Sequence, residues 1–564
     1  MSSNSSAAAN HPLDVLLRRS RIIDAVAPIP RRRAATLRAA LLAFIASLYL
    51  PLANATDSDA AADCATLRGL RLSGATVVSA DFVEAGAFKT AGGKSLPGQN
   101  AFCRVLGSAT PSDDSNIRFE VWLPAAGWNG RLWGVGNGDY AGSISQPALN
   151  ARMGEGFAAV GTDTGHQTND PGETQWAIGH PQQVIDFGHR GIHEAAVNAK
   201  RIVTAFYGRA PAHAYFASCS NGGRQALMEA QRYPDDYDGL IAGAPAHEWT
   251  AIYIGSGEWQ FHWFADPAHR IPATKLPALH AAVANACEAL DGVSDGVIEN
   301  PPQCRFDPAV LACHGAETND CLTESQLATV RGLYAGNVSA DGHPLLRGYA
   351  IGSEDGLEEV TYVSAPGSSD GSFEALNPFW RDLVFENPSW DYRTFDLERD
   401  GALAKRKLAP VLDADDPDLT HFSARGGKLI LFHGWADPLP PPAGSIDYVE
   451  RVARTMGAER ADRTVRLFMA PGMGHCAGGD GPNRFGQFGV GDGNPETNLG
   501  AALQRWVEQG AAPDRVIATK RKDDGDATSD VLRTRPLCAY PKVARYIGRG
   551  STDDAANFVC AAPR

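Results

Sequence analysis

The stretch Ser-Cys-Ser-Asn-Gly-Gly at residues 218–223 joins a strand-like segment to a helical one. Residues 214–217 form a short apolar run typical of a buried strand, and residues 223–233 have the pattern of a helix. A sharp turn between strand and helix lifts one hydroxyl clear of a sheet, and its usual pattern is Gly-x-Ser-x-Gly. Ser218, still a small residue, replaces the first glycine. The pattern predicts that Ser220 is a nucleophile, and an ordinary loop is the alternative.

An acid and a histidine follow the ends of two later strand-like runs. Residues 429–432 precede Asp437, and residues 465–469 precede a glycine-rich loop that contains His475. The order Ser, Asp, His along the chain is the one found in α/β-hydrolases. A serine hydroxyl is a poor nucleophile until an imidazole removes its proton, and a carboxylate holds that imidazole in the right tautomer. Taken singly, the two residues have the alternatives of a turn aspartate and a loop histidine. Together with Ser220 they predict a catalytic triad.

Two backbone N–H groups are expected to stabilise the oxyanion formed at such a serine. One belongs to Asn221, the residue after the nucleophile. The second is expected from the loop after an earlier strand, and the glycine-rich residues 134–139 are the best candidates, because glycine lets the backbone approach a ligand closely. We choose Gly138, with Asp139 as the alternative.

Short apolar runs alternate with helical stretches over much of the chain, which predicts an α/β fold with a doubly wound, mostly parallel sheet. The further strand-like runs lie at residues 117–123, 132–135, 157–160 and 240–242. The alternation stops after about residue 245 and resumes at Lys428. We therefore expect an α/β-hydrolase core at residues 56–245 and 426–564, with residues 246–425 inserted as a lid over the active site. An independent second domain is the alternative.

The charge of the chain narrows the class of partner. With 44% hydrophobic and 21% charged residues the composition is that of a globular protein. The formal net charge of −14 argues against a nucleic-acid partner, because phosphate binding needs a basic surface. We expect the partner to be a small molecule. No pattern in the sequence sets an oligomeric state.

Residues 1–55 have the pattern of a leader. Three arginines at residues 31–33 precede an apolar run at residues 39–50, and a small-x-small cleavage site follows at residues 53–55. The pattern predicts a cleaved signal peptide and a secreted or periplasmic protein without stable membrane insertion. An uncleaved anchor is the alternative.

All ten cysteines follow the proposed cleavage site, and an even number in an exported chain is typical of disulfides. Cys219 directly precedes Ser220, and Cys476 directly follows His475. Since a triad brings Ser220 and His475 within hydrogen-bond reach, we expect a Cys219–Cys476 disulfide that joins the two catalytic turns. A Cys219 thiolate nucleophile is the alternative.

An acidic loop lies in the predicted insertion. Glu288, Asp291 and Asp295 supply carboxylates around a glycine-assisted turn, and two cysteines bracket the loop. Oxygen ligands at alternate positions suit Ca²⁺. The loop is not an EF-hand, because Pro302 stands where the bidentate glutamate is needed. The residues leave a structural calcium and a plain acidic turn equally open, and we expect no organic cofactor.

Three motifs resemble the tannase and feruloyl esterase family, which also includes a bacterial hydrolase of mono(2-hydroxyethyl) terephthalate. They are Cys219-Ser220-x-Gly-Gly-Arg224, His433-Gly-x-x-Asp437-Pro and Gly474-His475-Cys476. The resemblance spans nearly the whole chain after the leader. It implies an α/β-hydrolase core, a large lid inserted before the acid, and hydrolysis of esters of aromatic acids through an acyl-enzyme. Feruloyl (hydroxycinnamoyl) and galloyl esters are the expected substrates, and smaller benzoate esters or mono(2-hydroxyethyl) terephthalate are alternatives.

The resemblance also implies a calcium ligand set and the pairing of the remaining cysteines. The implied ligands are the carboxylates of Glu288, Asp291 and Asp295 and the carbonyls of Val293 and Val297. The family more often has Asp where Glu288 stands. The implied disulfides, besides the one between the catalytic turns, are Cys64–Cys103, Cys287–Cys304, Cys313–Cys321 and Cys538–Cys560.

Substrate choice is expected to depend on the lid. Its aromatic stretch at residues 377–393 contains Trp380 and Arg381, which would supply a stacking wall and a cation. We assign these two residues and His433 as substrate-binding candidates, with structural packing as the alternative. A peptidase or lactonase on the same triad and a catalytically silent binding protein are the other classes. The cysteine-linked motifs disfavour the former, and the complete Ser, Asp and His set disfavours the latter.

Overall fold

One nine-stranded sheet organises the protein, seen in a computed structural model that describes residues 57–90, 92–168, 170, 172–339, 342, 344–357 and 376–563. The predicted signal peptide, residues 1–55, lies outside the described residues. Within the described part of the chain, no helix is both long enough and apolar enough to span a membrane.

The strands are, in chain order, β1 Ala75–Val83, β2 Phe102–Ala109, β3 Ile117–Pro124, β4 Arg131–Val135, β5 Ala158–Thr162, β6 His213–Cys219, β7 Gly239–Gly243, β8 Gly336–Val338, β9 Pro344–Arg347, β10 Lys428–Gly434, β11 Val465–Ala470, β12 Arg515–Arg521, β13 Val531–Cys538, β14 Val543–Tyr546 and β15 Phe558–Ala561. The order in the large sheet is β1-β2-β3-β5-β4-β6-β7-β10-β11. The pairs β1–β2, β2–β3 and β3–β5 are antiparallel, and all the others are parallel. The expected α/β class with a mostly parallel sheet is confirmed.

The described α-helices are α1 Asp57–Thr66, α2 Gln146–Gly154, α3 Pro181–Ile185, α4 Gly191–Tyr207, α5 Asn221–Arg232, α6 Trp249–Gly257, α7 Leu276–Cys287, α8 Glu324–Ala335, α9 Leu397–Leu412, α10 Thr420–Ala424, α11 Ala443–Met456, α12 Ala458–Thr464 and α13 Leu499–Gln509. Short 3₁₀ and π-helical turns connect many of them.

Apolar clusters on both faces of the sheet explain why its central strands are continuous apolar runs. In β10, Leu429 and Leu431 belong to one cluster, whereas Ile430 and Phe432 belong to the other, and all four are buried. Successive side chains of a strand point to opposite faces, so both faces of β10 are covered. Helices α4, α5 and α11 contribute to the first cluster, and α2 and α13 contribute to the second. The sheet is therefore doubly wound.

The strand series of the sheet is interrupted between β7, which ends at Gly243, and β10, which begins at Lys428. The described residues between them form α6 to α10 and the β8–β9 hairpin, and they bury two further apolar clusters. One of these clusters also includes Tyr140 and Phe187, which lie in loops of the sheet domain. The inserted segment therefore packs against the part of the molecule where the parallel strands end. The insertion expected at residues 246–425 falls within this interval.

Candidate active site

Ser220 is the single residue between β6 and α5. Its backbone has a φ of 64°, a region that costs a non-glycine residue roughly 1–3 kcal/mol and is found mostly at functional sites. A β-carbon at Gly222 would collide with the side chain of Ser218, and one at Gly223 would collide with the carbonyl oxygen of Gly243. The two glycines therefore let the helix start close against the sheet. This is the strand–turn–helix geometry expected from the sequence.

Asp437 and His475 are in direct contact. The Nδ1 atom of His475 lies 2.8 Å from Oδ2 of Asp437, and Asp437 is fully buried. An ionised carboxylate can only accept hydrogen bonds, so Nδ1 of His475 carries the proton and donates it. This tautomer leaves Nε2 as the nitrogen that can take a proton from a hydroxyl group. His475 and Ser220 line the same pocket.

Three groups donate hydrogen bonds to the carboxylate of Asp437. Besides His475, the backbone N–H of Leu439 donates to Oδ1 at 2.8 Å, and Nε2 of His433 lies 3.1 Å from Oδ2. Burial acts to raise the pKa of Asp437, but the hydrogen bonds from His433 and His475 outweigh it and hold that pKa below its usual value. Asp437 is therefore ionised at neutral pH and able to orient His475.

His433 lies beneath the acid and not on the pocket wall, which corrects its assignment as a substrate-binding residue. It is 1% exposed, and its Nε2 lies 3.0 Å from the carbonyl oxygen of Pro440. A carbonyl cannot donate, so Nε2 carries a proton that it shares between Pro440 and Asp437. Its Nδ1 lies 2.7 Å from Oγ of Ser445. The motif His433-x-x-x-Asp437 thus supplies a second imidazole donor to the carboxylate.

A disulfide joins Cys219 to Cys476, with a Cα–Cα distance of 5.9 Å. The bond links the turn that carries Ser220 to the loop that carries His475, as the sequence predicts. Since Cys219 is oxidised in this structure, it is not available as the alternative thiolate nucleophile. The other four predicted pairs are also present: Cys64–Cys103, Cys287–Cys304, Cys313–Cys321 and Cys538–Cys560.

The pocket that Ser220 and His475 share has a volume of about 250 Å³. Its aromatic wall consists of Tyr140, Trp249 and Tyr253, and the rings of Trp249 and Tyr253 are stacked with centroids 5.5 Å apart. The remaining described lining residues are Asp139, Gly172, Ala246, Ile252, Leu376, Leu439 and Pro440. As far as the described residues line it, the site is thus a small, mostly apolar cavity with one carboxylate.

Neither Trp380 nor Arg381 lines this pocket, which corrects two further substrate-binding assignments. Trp380 is fully buried in the apolar cluster of the insertion, where it packs edge-on against Phe379 and Phe395. Arg381 pairs with Asp382 at 2.6 Å. Structural packing, the alternative stated for this stretch, describes both residues. An aromatic-rich sequence far from the triad did not reveal which rings face the pocket.

The aromatic wall comes mainly from α6, which sequence reasoning missed. Trp249 and Tyr253 are four residues apart and therefore lie on one face of this helix. Asp413 holds the start of α6, because its carboxylate accepts hydrogen bonds from the N–H of Thr250 at 2.8 Å and from its hydroxyl at 2.5 Å. Burial raises the pKa of Asp413 to about 7. The available signal was an aromatic pair at helical spacing just after a strand.

The two candidates for the second oxyanion donor are now distinguished by position. Both residues line the cleft beside the disulfide, and only Asp139, with a φ of 43°, also lines the pocket with Ser220. A β-carbon at Gly138 would meet nothing within 4 Å, so no close approach requires glycine there. Asn221 is the first residue of α5, where a backbone N–H has no partner within the helix. The geometry favours Asp139 over the predicted Gly138.

The acidic loop of the insertion forms a tight, glycine-assisted turn. Oδ1 of Asp291 accepts the N–H of Val293 at 2.8 Å, and Oδ1 of Asp295 accepts that of Val297 at 3.2 Å. Oε2 of Glu288 accepts the N–H of the intervening Gly296 at 3.0 Å. Burial, together with the nearby carboxylate of Asp295, raises the pKa of Asp291 to about 6. A cation would relieve this concentration of buried negative charge, so the donor set fits a hard ion such as Ca²⁺.

Two arginines of β13 already compensate part of that charge. Oδ2 of Asp295 lies 2.9 Å from Arg533 and 2.5 Å from Arg535. The Cys287–Cys304 disulfide closes the segment that contains the loop. The loop is therefore held by the disulfide that closes its own segment and by ion pairs to β13 in the C-terminal part of the chain.

The sheet order, the strained serine turn and the buried Asp–His pair together define an α/β-hydrolase. Comparison with known proteins identifies the family: the profile described as "Tannase and feruloyl esterase" matches residues 103–561. The chain belongs to this family, and it is a carboxylic-ester hydrolase.

Relatives support this assignment over most of the chain. An uncharacterized esterase of Xanthomonas campestris is 40% identical over 535 residues, which cover 90% of this chain and 92% of the relative. A probable feruloyl esterase B-1 of Aspergillus flavus is 34% identical over 468 residues, or 81% of this chain and 86% of the relative. The crystal structure of feruloyl esterase B from Aspergillus oryzae superposes with a TM-score of 0.82 at 31% identity and covers 89% of this chain and 100% of that one. A tannin acyl hydrolase from Aspergillus niger, at 23% identity, a TM-score of 0.70 and coverage of 90% and 95%, shares the fold.

Proposed function

We propose that this protein is a serine esterase that hydrolyses esters of aromatic acids, with hydroxycinnamoyl esters preferred, through an acyl-enzyme. One observation carries the proposal: the buried Asp437 bonds His475, and His475 shares a small aromatic-walled pocket with Ser220. Such a pocket binds an aromatic ring by stacking and apolar burial, and the neighbouring serine then meets the ester bond.

The chemistry proceeds in two halves. Oγ of Ser220 attacks the ester carbonyl while Nε2 of His475 takes its proton, and the N–H groups of Asn221 and Asp139 stabilise the tetrahedral oxyanion. The alcohol then leaves with the proton from His475, and the acid remains esterified to Ser220. A water molecule, deprotonated by His475, attacks this acyl-enzyme; the bond to Oγ of Ser220 then breaks, His475 returns the proton to that oxygen, and the aromatic acid is released. Asp437 stays ionised throughout and stabilises the imidazolium.

The composition of the pocket favours a neutral acyl group. The described wall residues include no arginine or lysine. The free carboxylate of mono(2-hydroxyethyl) terephthalate would find no cation there and would meet Asp139 instead. A galloyl ring presents three hydroxyl groups, whereas Ile252, Leu376 and Leu439 give the pocket an apolar character. A methoxylated hydroxycinnamoyl group suits this wall better.

A matched substrate panel tests the proposal. We expect methyl ferulate and methyl caffeate to turn over faster than methyl gallate and mono(2-hydroxyethyl) terephthalate. Ser220→Ala should abolish turnover of all four esters, and Ser389→Ala, at an exposed position in the insertion, should leave it unchanged. A preference for mono(2-hydroxyethyl) terephthalate contradicts the acyl assignment. Turnover that persists in Ser220→Ala contradicts the mechanism.

Calcium is part of the same proposal, bound by the carboxylates of Glu288, Asp291 and Asp295 and the carbonyls of Val293 and Val297. Its role would be to neutralise the acidic loop and stabilise the insertion. Removing Ca²⁺ with a chelator should lower the Tm by several degrees, and Asp291→Asn should largely remove this difference. Asp320→Asn, at an exposed acidic position of the insertion, is the control that retains it. An unchanged Tm on chelation contradicts calcium binding.

Export is the final element of the proposal. The leader pattern at residues 1–55 supports a signal peptide. Five disulfides support a secreted or periplasmic location, because disulfides persist in oxidising compartments.

A further inference from the structure

A second group of metal-ligating side chains lies outside the acidic loop and outside the pocket that Ser220 and His475 share, in a neighbouring cavity that His475 also lines. It consists of His280 on α7, Asp355 in the turn Glu354–Gly356, and Asp480 in the loop that follows β11. One nitrogen or oxygen atom from each residue lies within 4.8 Å of the other two. The three side chains line a cavity of about 430 Å³, so an ion from solvent can reach them.

A fourth residue gives independent evidence that this group is electrostatically incomplete. Glu354 is fully buried, and its Oε1 accepts hydrogen bonds from the hydroxyl of Tyr334 at 2.6 Å and the N–H of Gly352 at 2.8 Å. Its Oε2 is buried without a hydrogen-bond partner among the described residues and lies 3.7 Å from Nδ1 of His280. That Nδ1 atom is itself buried and likewise makes no hydrogen bond within the described chain. Buried polar atoms in native proteins are rarely left this way without an ion or water.

The distance between His280 and Asp355 is close to that between two ligands of a small divalent ion. Nδ1 of His280 lies 3.5 Å from Oδ2 of Asp355, too far for a good hydrogen bond. Two ligand atoms bound to Zn²⁺ at about 2.0–2.1 Å in tetrahedral geometry lie about 3.3–3.4 Å apart. One imidazole and two carboxylates form a ligand set typical of zinc, whereas Ca²⁺ takes oxygen ligands only.

We propose that His280, Asp355 and Asp480 form a Zn²⁺ site, and the buried carboxylate of Glu354, beside the same imidazole nitrogen, adds negative charge that favours a bound cation. This ligand set shares no residue with the predicted calcium ligands. His280 and Asp355 belong to the insertion, whereas Asp480 follows His475 by only five positions in the same loop. A bound ion would therefore cross-link the insertion to the loop that carries the catalytic histidine. Because only the folded protein presents these ligands together, zinc stabilises it.

The test measures zinc binding directly on the full protein kept in saturating Ca²⁺. Calorimetric titration with ZnCl₂ should show one saturable site, and saturating zinc should raise the Tm by about 3 °C or more. His280→Gln and Asp480→Asn should each weaken binding at least tenfold and remove the Tm shift. His314→Gln, which changes an exposed histidine of the insertion, is the matched control and should bind zinc as the unmodified protein does.

Three results would overturn the proposal: no saturable zinc binding, equal binding by His280→Gln and the unmodified protein, or loss of binding in His314→Gln. Asp480 is exposed, so Asp480→Asn should fold even if His280→Gln does not. Asp291→Asn should retain zinc binding, and loss of binding there would assign the ion to the acidic loop instead. None of these readouts depends on ester hydrolysis, so they remain informative whatever the substrate is.

Discussion

In the sheet core, Ser220, Asp437 and His475 each follow closely after the end of a strand, whereas the insertion builds its share of the pocket from one face of α6. The two regions also differ in the pKa of a carboxyl group that accepts hydrogen bonds. Donors from two histidines hold the pKa of Asp437 below its usual value, while burial raises the pKa of the half-buried Asp413 to about 7. A carboxylate with chargeable donors keeps a low pKa in the core, and one with only neutral donors has a raised pKa in the insertion.

The largest loss of activity should come from replacing Asp437, the acid of the triad in the core. Asp437→Asn replaces a charge with an amide of the same shape and no longer fixes His475 in its working tautomer, so kcat should fall by about 10³–10⁴-fold. His433→Gln still offers an N–H to Asp437, so its kcat should fall by only about tenfold. Ester turnover with circular dichroism as a folding check measures both. Similar losses in the two variants would show that His433 acts as more than a positioning residue.

The next largest effect is the loss of stability on removing a disulfide, compared between one bond of the core and one of the insertion. The Cys219–Cys476 bond spans 257 residues and Cys313–Cys321 spans 8. In the chain-entropy account, replacing the first pair by serines should lower the free energy of unfolding by about 5–6 kcal/mol, against about 2–3 kcal/mol for the second. Urea denaturation of both double variants measures this. Equal losses would contradict the expected dependence on chain separation.

A smaller effect on activity should distinguish Tyr253, which lines the pocket, from Trp380, which packs in the buried cluster. Tyr253→Ala removes a ring from the wall and should lower kcat/KM for methyl ferulate by about 10–100-fold, because one apolar contact contributes about 1–3 kcal/mol. Trp380→Phe alters the buried cluster and should lower the Tm with little change in kcat/KM. Steady-state kinetics and thermal unfolding of both variants distinguish the two roles. Substrate specificity that changes with Trp380 would restore its original assignment.

The smallest effect concerns the pH dependence of stability that Asp413 contributes through its hydrogen bonds to the start of α6. The folded-state pKa of about 7 exceeds the ordinary value, so the folded protein retains a proton that the unfolded chain releases between about pH 4 and pH 7. Stability from this group is therefore fully present below about pH 4 and is lost as the pH rises from about 4 to about 7. Asp413→Asn cannot ionise, so its stability relative to the unmodified protein should improve by about 1–2 kcal/mol from pH 4.5 to pH 7.5. A pH-independent difference between the two proteins contradicts the raised pKa.

The strands and the triad of the core could be predicted from the sequence because their signals lie within short stretches of the chain. A short apolar run such as residues 429–432 is long enough for a strand and too short for most helices, and the polar residue after it lies at the sheet edge. The Cys219–Cys476 bond followed from the same logic, since residues adjacent to a triad must themselves be close. The second oxyanion donor stays a prediction. Glycine content indicated the loop that lines the site but did not separate Gly138 from Asp139.

The insertion was less accessible because its side chains are placed by tertiary packing. Trp380, with its large ring and neighbouring arginine, has the composition of a binding site, yet it packs inside the cluster that supports α6. The distinction between Trp380 and Trp249 depends on which helix face meets the sheet domain, and periodicity within one helix does not contain this information. The zinc ligands His280, Asp355 and Asp480 likewise lie far apart in sequence and come together only through the fold.

The bond between Cys219 and Cys476 has a topological consequence. Together with the backbone from residue 219 to residue 476 it closes a covalent ring, and the whole inserted segment lies on that ring. A protease that cleaves any one peptide bond within the ring opens it without separating the molecule into two pieces. The serine turn and the histidine loop would remain attached to each other through sulfur, so a nicked enzyme in a protease-rich environment would keep its two reacting side chains together.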